Sequence, residues 1–382
     1  MPDIRTAVTH HRRLLLLLAL AIAAPGCLPA QTTTAPAAAP RARAFADLVA
    51  RLSEPGGSFD TDNLISNEKS YLHVLGALDR LGVRGGAYVG VGPDQSFSYV
   101  ARVRPAVAYV VDIRRDNLLQ HLMFRALFGR ARNRAEYLAL WLGRPAPADV
   151  AAWNDRPIDA IVAWLDTTGA TPASVRAARE IVLAGARASG VPLSASDLAT
   201  IERFHQQFVD EGLGLQFTST GRAPRPYYPT LRQLVTERDR EGRQASYLAR
   251  EADFQFVKQL EARDLVIPVV GNLAGSHALT AIGDDVRRRG LRISAFYTSN
   301  VEDYLLRDGS FDRFARTVAS LPRDRRSVMI RSWFGVFREP HPDAVDGYGS
   351  VQLLQRMDDF VAAASTYETY RDVAFASRTE PR

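Results

Sequence analysis

The sequence predicts a doubly wound α/β fold: a mostly parallel, Rossmann-like sheet flanked by helices and interrupted by a large helical insertion. Three observations lead there. Residues 84–120 run from a β-branched and aromatic strand into the glycine turn Gly90-Val91-Gly92-Pro93-Asp94-Gln95. They continue through a short helix into a second apolar strand that ends on Asp112, twenty residues past Gly92. Strand and helix patterns alternate again from residue 247 onward, and between these two regions the pattern is almost wholly helical.

Each element follows from its pattern. Ser66 or Asn67 can cap a helix reaching Leu81, with Tyr71, Leu72, Leu75, Leu78 and Leu81 on one stripe. Strands are expected at 86–91 and 106–112, and helices at 118–129, 134–142, 173–189 and 197–210. Leu213–Thr218 is strand-like, and 222–229 reads as a loop. A helix over 247–262 then leads to an apolar strand over 265–271 of the kind buried in parallel sheets. A helix over 278–289, strands over 292–300 and 327–333 and a helix over 351–364 complete one domain, residues 46–365, with 118–262 as its insertion and 366–382 as a tail.

The glycine turn carries the strongest functional signal. At the carboxyl end of a first strand, glycine lets a ligand approach the backbone, and an acid ending the second strand can accept hydrogen bonds from ribose hydroxyls. Pro93, Asp94, Gln95 and Ser96 stand where a dinucleotide fingerprint has its third glycine, so an adenosyl group fits better than a pyrophosphate. The plainer interpretation is an ordinary turn with an acid that caps. In an open sheet the carboxyl ends form the ligand crevice, which brings Gly92, Asp112, Asn272 and Tyr297 to Asn300 toward one place.

The amino terminus points elsewhere. Arg5, His10, His11, Arg12 and Arg13 precede the apolar run Leu14 to Ala24 and the sequence Ala24-Pro25-Gly26-Cys27. This is the pattern of a signal peptide, residues 1–26, too short for a stable span. It resembles a lipobox, which implies acylation of Cys27, the single cysteine, and a lipid anchor in the membrane. Residues 27–45, rich in Ala, Pro and Thr, read as a linker. Leu28 rather than an Asp after Cys27 implies, by the same resemblance, an exported envelope protein in the outer membrane.

Composition excludes more than it assigns. The basic excess, 48 Lys and Arg against 42 Asp and Glu, is nearly all arginine and shows no basic run interleaved with aromatics, which argues against nucleic acid. His73, His121, His205, His277 and His341 lack metal-ligand spacing, so no metal is expected. Neither a G-x-S-x-G elbow nor a phosphate-binding P-loop occurs.

Four motifs together resemble a bacterial (lipo)protein family without an assigned activity, whose core is similar to class I S-adenosylmethionine-dependent methyltransferases. They are Asn67-Glu68-x-x-Tyr71, Gly90 to Gln95, Val111-Asp112-Ile113-Arg114-Arg115, and Phe296-Tyr297-Thr298-Ser299-Asn300-Val301-Glu302-x-Tyr304. The resemblance covers residues 46–365. It implies S-adenosylmethionine as cofactor, with Gly90, Gly92, Asp94 and Gln95 beside its methionine part and Asp112, with Arg114, at the ribose. Asn67, Glu68, Tyr71, Asn272, Tyr297, Ser299, Asn300 and Glu302 would line the substrate end, where a small molecule binds. Capping and core packing account for Asn67, Ser299, Glu302 and the tyrosines equally well.

The chain departs from that family's pattern. It has no Asn-Pro-Pro-Tyr sequence, and the strand expected soon after the helix following Asp112 is missing or displaced. Two functions remain: a methyltransferase acting on a small acceptor, with Glu68, Tyr297 or Asn300 orienting it, or a non-catalytic envelope lipoprotein that binds another ligand or partner. An exported chain has no obvious supply of a cytosolic cofactor, which favours the second. The glycine turn and its acid favour the first.

Overall fold

Short strands that are apolar on both faces are stable only where helices cover both sides of a sheet, and the strands here are buried along almost their whole length. The computed structural model describes residues 40–219, 225–335 and 339–380. The expected signal peptide, Cys27, most of the expected linker and part of the expected loop at 222–229 lie outside them. In chain order the first half holds α1 (Pro40–Leu52), α2 (Leu75–Arg80), β1 (Ala87–Gly90), α3 (Gln95–Val103) and β2 (Val107–Asp112). The insertion follows as α4 (Arg115–Arg130), α5 (Arg134–Trp141), α6 (Ile158–Thr167), α7 (Pro172–Ala188), α8 (Ala195–Glu211), α9 (Leu231–Thr236) and α10 (Glu251–Ala262). Then come β3 (Val266–Val270), α11 (Ala278–Arg288), β4 (Ile293–Ser299), α12 (Val301–Arg307), α13 (Phe311–Ser320), β5 (Val328–Trp333), β6 (Val351–Arg356), α14 (Met357–Ala363) and α15 (Tyr370–Phe375).

The strands form one sheet in the order β3-β2-β1-β4-β5-β6, parallel except for β6. The α/β fold is therefore the expected one, Rossmann-like and mostly parallel. The strand missing after α4 is β3, which pairs Val270 with Asp112 and is reached only after the helical insertion. Strand order reverses at β1, between β2 and β4, and that is where such sheets open a ligand crevice.

Five expectations need correction. Residues 351–356 form strand β6, not the first turns of a helix. Val351, Leu353 and Leu354 continue the helical spacing of Met357 and Phe360, but the free edge of β5 offers six residues a full ladder. Residues 40–45, expected in the linker, are helical. They are the start of α1, with Pro40 at a first-turn position where its missing N–H costs nothing, and Phe45, Ala46, Val49 and Leu52 buried. The tail is folded: α15 packs on the sheet and Arg378 exchanges both backbone hydrogen bonds with Leu354, covering the edge of β6. Finally, residues 66–81 hold a single 3-10 turn (Lys69–Leu72) and α2 instead of one long helix, and 213–218 makes only an isolated bridge, Gln216 to Thr230.

After α1 the chain lies across the carboxyl ends of β2 and β3. Glu54 N–H donates to Val270 O (2.9 Å), Gly57 N–H to Ile113 O (2.8 Å), and Val270 N–H to Ser53 Oγ (3.1 Å). The Glu54 carboxylate accepts from the backbone N–H groups of Asn272 (2.8 Å), His277 (3.0 Å) and Ala278 (3.2 Å), meeting the positive end of α11. Gly275 lies so close that any Cβ there would meet this carboxylate. Removing the carboxylate leaves three donors without their partner. Glu54→Ala is expected to lower the unfolding free energy by about 1–3 kcal/mol in urea denaturation, with an unchanged m-value.

Candidate functional site

The site is built on the turn after β1 and the end of β4, which touch where Val91 N–H donates to Tyr297 O (3.1 Å). Gly90 leaves room for the Tyr88 ring, whose hydroxyl donates to Ser96 Oγ (3.2 Å). Gly92 takes φ +81°, which glycine reaches without strain. Its carbonyl accepts from Asn117 Nδ2 and His121 Nε2, both at 3.0 Å. Burial pushes the His121 imidazole down to about 4, so the ring is neutral and its Nε2 carries the proton given to Gly92.

Glu68 stands at the centre, 1% exposed. Tyr297 Oη donates to its Oε2 (2.7 Å) and Ser299 Oγ to its Oε1. Gln95 Nε2 in turn donates to Tyr297 Oη (3.1 Å), and Gln95 Oε1 is buried without a protein partner. Burial raises the Glu68 carboxyl above its ordinary range, opposed by the hydrogen bonds from Ser299 and Tyr297. A second layer holds these groups: Ser332 Oγ donates to Gln352 Oε1 (2.8 Å), Gln352 Nε2 to Tyr99 Oη (2.9 Å), and Tyr99 Oη to Tyr71 O (2.9 Å). Ser299 and Asn300, at the end of β4, are partly exposed, while Glu68, Gln95 and Tyr297 are buried.

The sequence-predicted residues separate into groups. Gly90, Gly92, Gln95, Glu68, Tyr297, Ser299 and Asn300 come together at the reversal of strand order. Asp94 begins α3 without capping it, and its buried carboxyl faces Tyr247 Oη (3.4 Å). Asp112 ends β2 as expected, but Arg114 holds both of its oxygens, through Nε (3.1 Å) and Nη2 (3.0 Å). Arg114 also donates to Thr61 O and Asp62 O (2.7 Å each), tying the pair to the covering segment. Asn272 turns its Oδ1 to Ala274 N–H (2.9 Å) within its own loop, and Tyr71 donates to Leu234 O (2.9 Å) in the core.

One expectation fails outright. Glu302 does not line the crevice: it is fully buried and paired in a fork with Arg331, at 2.9 and 2.8 Å, because an unpaired carboxylate there would be prohibitive. Of the two capping candidates, Ser66 makes the bond, its Oγ accepting from Glu68 N–H (3.0 Å) just ahead of the 3-10 turn. Ser332, Gln352, Tyr247 and Tyr99 belong to the site's support and were not singled out from sequence. The available signal was a polar residue inside an apolar strand, as at Ser332 and Gln352.

Among the described residues, no group of three or more His, Cys, Asp or Glu is placed to hold a metal ion. No described helix is long and apolar enough to cross a membrane. A family model described as a domain of unknown function, DUF7790, matches residues 64–153 and 205–381. The chain belongs to the DUF7790 family. The match takes in every strand of the DUF7790 sheet and every residue of the Glu68 cluster, and leaves out 154–204, which holds α6, α7 and the start of α8. Among curated proteins none matches the sequence significantly.

The Asp94 carboxyl is pushed from 3.8 up to about 7 by burial. The folded protein therefore binds this proton more tightly than the unfolded chain does, and its contribution to stability is present at low pH and lost as pH rises from about 4 to 7. Asp94→Asn is expected to match the wild type near pH 4 and to exceed it by on the order of 2–4 kcal/mol at pH 8, measured by chemical denaturation across that range.

Proposed function

We propose that this DUF7790 protein is an exported, membrane-tethered protein that binds a small polar molecule at the carboxyl ends of β1 and β4, on a scaffold similar to S-adenosylmethionine-dependent methyltransferases. One observation carries the proposal. Glu68, Tyr297, Ser299 and Gln95 converge at the reversal of strand order, where open α/β sheets bind ligands, and Ser299 and Asn300 at the cluster's edge are partly exposed. Convergent polar groups in a largely apolar surround are what a selective pocket needs. The tether rests on the leader pattern and Cys27, and the outer membrane on Leu28.

A narrower reading makes the ligand adenosyl, with S-adenosylmethionine as cofactor. Its support is Asp112 at the end of β2, beside the turn that holds Gly92 at positive φ. On this reading the ribose competes with Arg114 for the Asp112 oxygens. Without such a ligand, the pair simply anchors the segment that covers the strand ends, as a non-catalytic binding protein requires.

Calorimetric titration with S-adenosylmethionine and S-adenosylhomocysteine separates these readings. It uses the chain from residue 38, which forms a compact unit of its own. Micromolar binding that disappears in Asp112→Ala and tightens several-fold in Arg114→Ala is the outcome for an adenosyl site. No heat with either ligand in a folded protein overturns the adenosyl reading.

A further inference from the structure

Ser299 ends β4 with φ +55°. A residue with a side chain pays on the order of 1–2 kcal/mol to enter that region, and such strain concentrates at functional sites. The other described non-glycine residues with positive φ are Asn63, Arg104 and Asp264. Arg104 closes α3 and Asp264 follows α10 within two residues, positions where helices end in this conformation, and Asn63 sits in a loop turn. Ser299 is instead the last residue of a strand, at a turn directly into α12. The β4–β5 register shifts between Tyr297 and Ser299, and the Ser299 hydroxyl meets Glu68.

We propose that Ser299 is a nucleophile and Glu68 its general base, in a site that transfers the acyl group of a carboxylic ester. The proposal rests on the crevice described under the proposed function and names its chemistry. Ser299 Oγ–H donates to Glu68 Oε1, Tyr297 Oη–H fixes the other oxygen at 2.7 Å, and Gln95 fixes Tyr297 at 3.1 Å. Nucleophile, base and orienting group in hydrogen-bonded order are the signature of an activated hydroxyl. In serine hydrolases a strained strand-to-helix turn pushes the hydroxyl out above the sheet. Here the turn lacks glycine and the register shift opens it.

Burial divides the two roles. Ser299 is partly exposed and can be reached, while Glu68 is shielded and, out of water, accepts a proton more readily. Ser299 Oγ bonds to the ester carbonyl carbon as its proton passes to Glu68, and the carbonyl electron pair moves to oxygen. That pair returns to expel the alcohol oxygen, which takes the proton back from Glu68. Water then repeats the sequence, freeing the acid and restoring Ser299. Asn300 borders the nucleophile, its Oδ1 3.4 Å from Ser299 Oγ. Beside Asn300, and hydrogen-bonded to it, Tyr304 packs edge to face on Phe59 at 5.1 Å; both rings are exposed, which suits an ester with an apolar portion.

The test is covalent labelling of the full chain with a fluorophosphonate, read by intact mass and peptide mapping, beside hydrolysis of p-nitrophenyl butyrate. One adduct at Ser299 is expected, formed as the O–P bond replaces P–F and fluoride and a proton leave. Ser299→Gly keeps the left-handed backbone and should lose the adduct and roughly 100-fold or more of the hydrolysis. Glu68→Gln should slow labelling by a similar factor. Should that variant fail to fold, the labelling rate with Glu68 in place decides: it should rise with pH to a midpoint above the ordinary glutamate range. Tyr88, Tyr99, Tyr297 and Tyr370, which face Glu68, are pushed upward by burial and stay neutral in that interval, whereas Asp94, beside Gln95, ionises toward about 7; the profile is therefore read in Asp94→Asn, where the Glu68 step should remain. A folded protein with no adduct at Ser299, or a labelling rate flat in pH, overturns the proposal. Adenosyl binding without an adduct overturns the nucleophile and leaves the crevice; an adduct without adenosyl binding supports the nucleophile and removes only the adenosyl reading.

Discussion

A carboxylate taken out of water must be met by donors or it will not stay charged, and the crevice end of this sheet is arranged around that demand at Glu68. Its donors Tyr297 and Ser299 come from β4, and Ser332 of β5 and Gln352 of β6 stand in the layer beside them. Gln95 at the start of α3 and Tyr99 one turn later hold those partners in place. Because each donor is itself held, the cluster is a connected network. Such networks are rigid when complete and costly when a member is missing. The strained backbone of Ser299 follows from the same arrangement, since the bulge before it is what lets the hydroxyl reach Glu68.

The buried charges of this chain do different work. Arg331 and Glu302 are both 0% exposed, and Gln355 and Ser377 complete the arginine's hydrogen bonds at 2.7 Å, so that pair holds β5, β6 and the C-terminal segment together. Glu54 and the Arg114–Asp112 pair fasten the segment after α1 across the strand ends, one at α11 and one at β2. Each of these carboxylates has a strong partner: a guanidinium, or backbone N–H groups at a helix start. Glu68 differs, being met by neutral hydroxyls, and its carboxyl is raised by burial. A carboxyl raised in this way beside a reachable hydroxyl is suited to moving protons; one locked to arginine is suited to holding structure.

Much of this was legible in the sequence where the cause is local. The glycine turn, the acid at the end of β2 and the buried strands β3 and β4 follow from composition within a few residues, and with them the sheet and its reversal point. Strand β6 was hidden because Val351, Leu353 and Leu354 fit helical spacing as well as a ladder, and only the free edge of β5 decides between them. The start of α1 was hidden by an Ala- and Pro-rich composition that serves a linker and a helix alike. Tyr297 and Ser299 were grouped with Glu68 only through the family resemblance, and the guanidinium partner of Glu302 and the backbone donors to Glu54, 29 or more residues away along the chain, could not be read. Arg114, two residues from Asp112, was within reach: a guanidinium so near a strand-terminal acid is its obvious competitor for a ribose.

The central claim is that Glu68 is a desolvated carboxyl held by Tyr297 and Ser299. It is tested most directly by following the carbon-13 carboxyl resonance of Glu68 through a pH titration of the glutamate-labelled protein. The account predicts a midpoint clearly above 4.5, moving higher still in Tyr297→Phe, which removes a donor to the charged form. A midpoint at or below 4.5 that ignores the loss of the Tyr297 hydroxyl would mean a solvated or cation-paired side chain, and would contradict the account.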